Sequence, residues 1–160
     1  CVAALSAGHA LNQTRLAEAG AAARVCESLA RLRWAGSRSL DSSSTCGGVA
    51  PSAALVVQAC RAAYALAWGS SINQEHLGMG GACALLCQHI AALHDSSSSS
   101  SSGRGEEEEA LFLSYKALAA LAHRCSSNQD RLRRAGACAE MARGLAQWLT
   151  AAQEEGAGKE

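Results

Sequence analysis

Aromatic side chains are scarce in this chain: Phe, Trp and Tyr make up 4% of 160 residues. Proline occurs once, at Pro51, and there is no excess charge, since 14 Lys plus Arg stand against 14 Asp plus Glu. Each shortage excludes something. Few aromatics argue against a sandwich or barrel, whose strands favour them. Balanced charge removes the basic bias of a dedicated nucleic-acid binder. No apolar run approaches the roughly 18 residues that cross a bilayer, so no membrane span is expected. The sequence opens at Cys1 without a Met, a basic n-region or a cleavage signal, and reads as a piece of a longer protein. What is abundant is alanine, 36 residues in all. An Ala-rich, Pro-poor chain favours closely packed helices.

The eight cysteines are Cys1, Cys26, Cys46, Cys60, Cys83, Cys87, Cys125 and Cys138. Most sit within Ala-rich helical pattern, where a thiol acts as a small apolar filler. They are expected to be reduced, in a cytoplasmic or nuclear protein. Cys83 and Cys87 are spaced to share a helix face with His89 nearby. A zinc site would need a second ligand pair at defined spacing, and none is evident.

The main signal is internal repetition. NQTRLAEAGAAARVCESLARL from Asn12, NQEHLGMGGACALLCQHIAAL from Asn73 and NQDRLRRAGACAEMARGLAQW from Asn128 align without gaps. Each begins Asn-Gln, then places Leu at +4 (Leu16, Leu77, Leu132) and Gly at +8 (Gly20, Gly81, Gly136). Asn12, Asn73 and Asn128 are predicted as helix N-caps. The three glycines are predicted to end that helix at positive φ. A second helix follows, with an apolar stripe at +10, +13, +14, +17 and +20. Its members are Ala22, Val25, Cys26, Leu29 and Leu32, then Cys83, Leu86, Cys87, Ile90 and Leu93, then Cys138, Met141, Ala142, Leu145 and Trp148. A longer helix precedes each Asn, across Pro51–Trp68 and Glu106–Cys125, with only its tail present before Asn12. The expected order is therefore long, short and medium helix, repeated as in a solenoid. Residues 1–152 form the repeat domain in this reading. Ser/Gly-rich inserts at about 36–50 and 95–105, and a tail over 153–160, are expected to be disordered.

These motifs resemble the armadillo repeat family. The likeness rests on N-Q-x-x-L-x-x-x-G-A followed by an amphipathic helix, with A-L-A-x-L-A-type long helices before it. It implies an all-α fold: a right-handed alpha-alpha superhelix of about two complete three-helix repeats plus partial flanking repeats. It also implies a concave groove, lined by the long helices, that binds partner segments. Importin-type members hold a peptide backbone there with an Asn four residues after a Trp. When Leu66 and Leu121 are aligned with the Leu after that Asn, the Asn positions hold Ala4, Ala65 and Ala120. The Trp positions hold Arg61 and Lys116. A shift of one or two residues would instead bring Tyr64 or Trp68 into the groove. Either way the Asn ladder is missing, so importin-type binding of localisation signals is not expected.

No catalytic constellation is legible. His9, His76, His89, His94 and His123 are scattered, and no nucleophile elbow, P-loop or paired C-x-x-C appears. The expected function is non-catalytic: a scaffold that binds a protein or peptide partner through Gln58, Arg61, Ser114 and Lys116. Those cations suit an acidic segment. No cofactor is implied, nucleic acid is not expected as a partner, and further repeats are expected at both ends. A structural spacer is the alternative from another class, and a thiol-based metal or redox site at Cys83 and Cys87 is the third.

Overall fold

The computed structural model describes residues 2–32, 53–96 and 104–157. Among them every regular element is a helix. In chain order these are α1 (Val2–Ser6), α2 (Ala10–Glu18), α3 (Ala21–Arg31), α4 (Ala53–Ala67), α5 (Ser71–Met79), α6 (Ala82–Ser96), α7 (Arg104–Ala122), α8 (Ser126–Arg134) and α9 (Ala137–Ala157). The predicted insert at 36–50 lies outside the described residues. The flanks of the second insert are helical, because α6 continues through Ser96 and α7 starts at Arg104. The helix α9 also runs past Gln153, where the composition predicts a disordered tail. Ala, Gln and Glu there are strong helix formers, and no stop residue precedes Gly156.

The helices fall into three like triplets, α1–α2–α3, α4–α5–α6 and α7–α8–α9. Contacts run between equivalent members of successive triplets: α1 on α4 on α7, α2 on α5 on α8, and α3 on α6 on α9. Each triplet thus covers one flank of the next, as expected of a stacked repeat. The core between layers contains Leu29, Leu66, Leu77, Leu86, Ile90 and Leu121, all fully buried. No single helix among the described residues is long and apolar enough to cross a membrane. The bent pair α5–α6 passes on composition alone, with a 71° break. Its Leu77, Leu86 and Ile90 belong to the interior just described.

Two tight turns set the shape of each triplet. Gly20, Gly81 and Gly136 have φ of 74°, 87° and 83°, which bears out the helix-stop reading. A second left-handed position, four residues before each Asn, is less obvious from sequence. It is Gly8 (φ 70°) and Gly69 (φ 77°) in the first two triplets but Arg124 (φ 55°) in the third. A side chain in that region costs energy that glycine avoids. Arg124→Gly is therefore expected to raise stability by about 1 kcal/mol, net of the entropy glycine adds to the unfolded chain. A denaturant melt of the variant measures it. An unchanged midpoint would contradict the strain.

The Asn-Gln pair does something other than cap. The N-caps are His9, Ser70 and Cys125, three residues earlier. That frees the amides to join triplets. Gln13 Nε2 donates to Ala65 O (3.0 Å) and Trp68 O (2.8 Å). Gln74 Nε2 donates to Ala120 O (2.8 Å) and His123 O (3.1 Å), which stand at the same offsets in the next triplet. These carbonyls close the last turn of a long helix, where no intrahelical N–H follows. Asn reaches the other way: Asn73 Nδ2 donates to Gln13 O (3.1 Å) and Asn128 Nδ2 to Gln74 O (2.8 Å). The pair is a reciprocal staple between layers.

Candidate functional site

The long helices α4 and α7 place aromatic and charged side chains along a partly exposed strip. Arg61 and Tyr64 lie on α4, with Trp68 just past its end. Glu109, Phe112 and Lys116 lie on α7 at i, i+3 and i+7, so they share a face, and His123 follows just past the end of that helix. The Lys116 ammonium lies 4.7 Å from the centre of the Tyr64 ring and 5.4 Å from that of Phe112. Such contacts hold a cation near the surface while keeping its charge. Trp68 stacks on His123 with ring centres 5.7 Å apart, and Tyr64 lies 5.7 Å from Trp68. Phe112 is 61% exposed and Trp68 50% exposed. In a chain with six aromatic residues, four aromatic or imidazole rings meeting on one surface is a concentration of adhesive area.

The residues expected to choose the partner separate into three groups. Lys116 belongs to the strip. Arg61 does too, but it pairs across the helices with Glu109, so it offers no uncompensated positive charge. Gln58 is exposed and lines a different groove, of about 710 Å³, shared with Leu16, Val25 and Leu55. Ser114 is a correction. It is fully buried, donates to Ala110 O (2.8 Å) and contacts the Cys60 thiol at 3.3 Å. Between α4 and α7 it packs as interior and can touch no partner. The presumed Asn-ladder positions Ala65 and Ala120 are also buried, whereas Tyr64 is half-buried and Trp68 is exposed. Sequence reasoning missed Phe112 and His123. Their spacing to Lys116 along one face was the available signal.

Among the described residues the thiols of Cys26, Cys60, Cys83 and Cys87 are buried, and arginines on α3 and α8 pair with acids. Cys83 and Cys87 are buried, and burial pushes each up to about 11, far from the thiolate that metal or redox chemistry needs. Among the described residues no three His, Cys, Asp or Glu side chains converge as metal ligands. His89 is buried with Nε2 3.0 Å from Leu29 O, and burial lowers its pKa. The basic clusters carry their own acids: Arg133 and Arg134 pair with Asp130, and Arg24 and Arg31 with Glu27. Arg131 joins α8 to α5 through Glu75 at 3.0 Å. That hydrogen bond, helped by Ser127 Oγ at 2.6 Å, holds the Glu75 carboxyl down at about 2.

No family model, curated protein or solved structure matches this chain.

Proposed function

We propose that the chain is a non-catalytic protein-interaction module, built as an armadillo-like right-handed superhelix, that receives a partner segment along the α4–α7 strip. The observation that carries this reading is the run of exposed Trp68, Phe112 and His123 beside half-buried Tyr64 and Lys116, on and just past the ends of neighbouring long helices. Stacking of like helices in three rows supports the superhelix. Interfaces gather their energy in aromatic anchors, and a rigid stacked scaffold loses little entropy when it binds. Arg61 is neutralised by Glu109, so the acidic preference narrows to Lys116. The partner is a segment with an apolar or aromatic anchor over Trp68 and an acidic residue facing Lys116. A spacer would have no use for such a strip. Nucleic acid fits poorly because the chain carries no net charge, and Arg133 and Arg134 share Asp130 on their own helix. The buried thiols Cys60 and Cys83, used as apolar fillers, suit a cytoplasmic or nuclear setting.

Selection of short displayed peptides against the whole chain tests the proposal. Trp68→Ala and Lys116→Glu are each expected to weaken the selected peptides at least about tenfold, the scale of a truncated anchor. Arg134→Ala, on α8, should leave them unchanged. Equal binding to wild type and Trp68→Ala would refute the strip.

A further inference from the structure

Tyr64 stands between the two halves of the strip. The Lys116 ammonium rests 4.7 Å from the centre of its ring, and the same ring lies 5.7 Å from that of Trp68, tilted by 32°. Phe112 meets Lys116 and His123 meets Trp68, whereas Tyr64 meets both. It is half-buried and packed on the core, while Trp68, Phe112 and His123 are exposed. The repeat does not demand a ring at this position. Two residues before Leu66 stands Tyr64, but two before Leu5 and Leu121 stand Ala3 and Ala119. Stacking of the triplets is therefore met by alanine there, and the ring is an addition. A cation is drawn to the face of a ring and not to its edge. Tyr64 must keep that face toward Lys116, and Trp68 beside it limits how far the ring can turn. Without Trp68 the ring gains freedom, and the seat of the ammonium loosens with it.

We propose that Tyr64 is the positioning residue of the strip, tying the Lys116 ammonium to the Trp68 ring so that the partner's acidic residue and its apolar anchor are read as one unit. This rests on the partner site proposed above. A segment that offers the anchor without the acid, or the acid without the anchor, forfeits part of what the other half gives. Side chains held in place before binding lose less freedom on binding. The coupling thereby widens the gap between complete and partial matches, which is what specificity requires.

A first experiment needs no partner. The chain has two lysines, Lys116 and Lys159, so after isotope labelling of lysine the ε-methylene NMR signal of Lys116 is identified by its loss in Lys116→Gln. Trp68→Ala is expected to shift that signal when Tyr64 is intact, and to leave it in place in a Tyr64→Leu or Tyr64→Met background, where apolar bulk remains without a ring. Tyr64→Phe, which keeps a ring, is expected to restore the response. Circular dichroism checks that each variant folds. A signal that Trp68→Ala moves equally in every background, or in none, overturns the proposal, and so does Tyr64→Phe behaving like Tyr64→Leu. A second experiment uses the selected peptides. Trp68→Ala and Lys116→Gln combined are expected to weaken them about three- to tenfold less than the product of the two single losses. In the Tyr64→Leu background the losses should simply multiply. Losses that multiply in both backgrounds overturn the coupling. Failure to select any peptide refutes the strip as a partner site, and the Lys116 signal then still decides whether Tyr64 ties the two halves together.

Discussion

Gln74→Ala is expected to destabilise the fold by about 2–4 kcal/mol, while Gln129→Ala, the same residue one triplet later, shifts it by less than about 0.5 kcal/mol. The first loses one buried and one partly buried hydrogen bond and leaves Ala120 O and His123 O without the donor that closes the end of α7. An orphaned buried acceptor costs about 1–3 kcal/mol. The second loses a single exposed bond to Ala122 O. Paired denaturant melts under monomeric conditions measure the difference. Equal effects would mean that the glutamines act through helix propensity and not as staples, because propensity is blind to what lies across the layer. Gly78 sharpens the point. A Cβ there would stand 1.8 Å from Asn128 Oδ1, so glycine makes room for the amide that completes the staple. In the preceding triplet the corresponding residue is Ala17, and there Asn73 Oδ1 is buried without a hydrogen-bond partner. One joint is therefore fully satisfied and the other is not.

Features set by local physics were legible in the sequence. The Asn-Gln register, the glycines at +8 and the stripe spacing all follow from the chain's own periodicity, and they place the helices in the right order. Features that depend on what lies across a layer were not. A backbone carbonyl has no sequence signature, so the amides of Asn12, Asn73 and Asn128 looked like local caps, although they serve contacts across layers or turns. Ser114 looked like a groove residue because a serine on an alanine-rich helix carries no mark of which face it occupies. Its burial follows from a hydroxyl that can return its proton to Ala110 O one turn earlier, which makes it nearly as easy to bury as alanine. Arg61 looked like an open cation because Glu109 is 48 residues distant in sequence. The strip itself was half visible: Tyr64 and Trp68 were alternatives to Arg61 and Lys116, and the fold uses all four on one surface.

Leu86→Ala is expected to cost about 2–5 kcal/mol, and Met141→Ala, at the same register position, less than about 1 kcal/mol in the monomer. Leu86 has no exposed surface and sits in the continuous interior with Leu66, Leu77 and Leu121. Removing its side chain forfeits the transfer energy and leaves a cavity that rigid helices on each side cannot collapse into. Met141 is 46% exposed, so truncation opens no cavity and changes little contact with water. Position along the helix, sequence spacing and apolar character are alike at the two sites. Besides Leu against Met, the difference is that among the described residues a further triplet follows α6 and none follows α9. A comparable loss at both positions would show that the stripe stabilises α6 and α9 from within each triplet, and the layered account of this fold would fail. A large loss at Leu86 beside a small one at Met141 would locate the stabilising energy between the triplets.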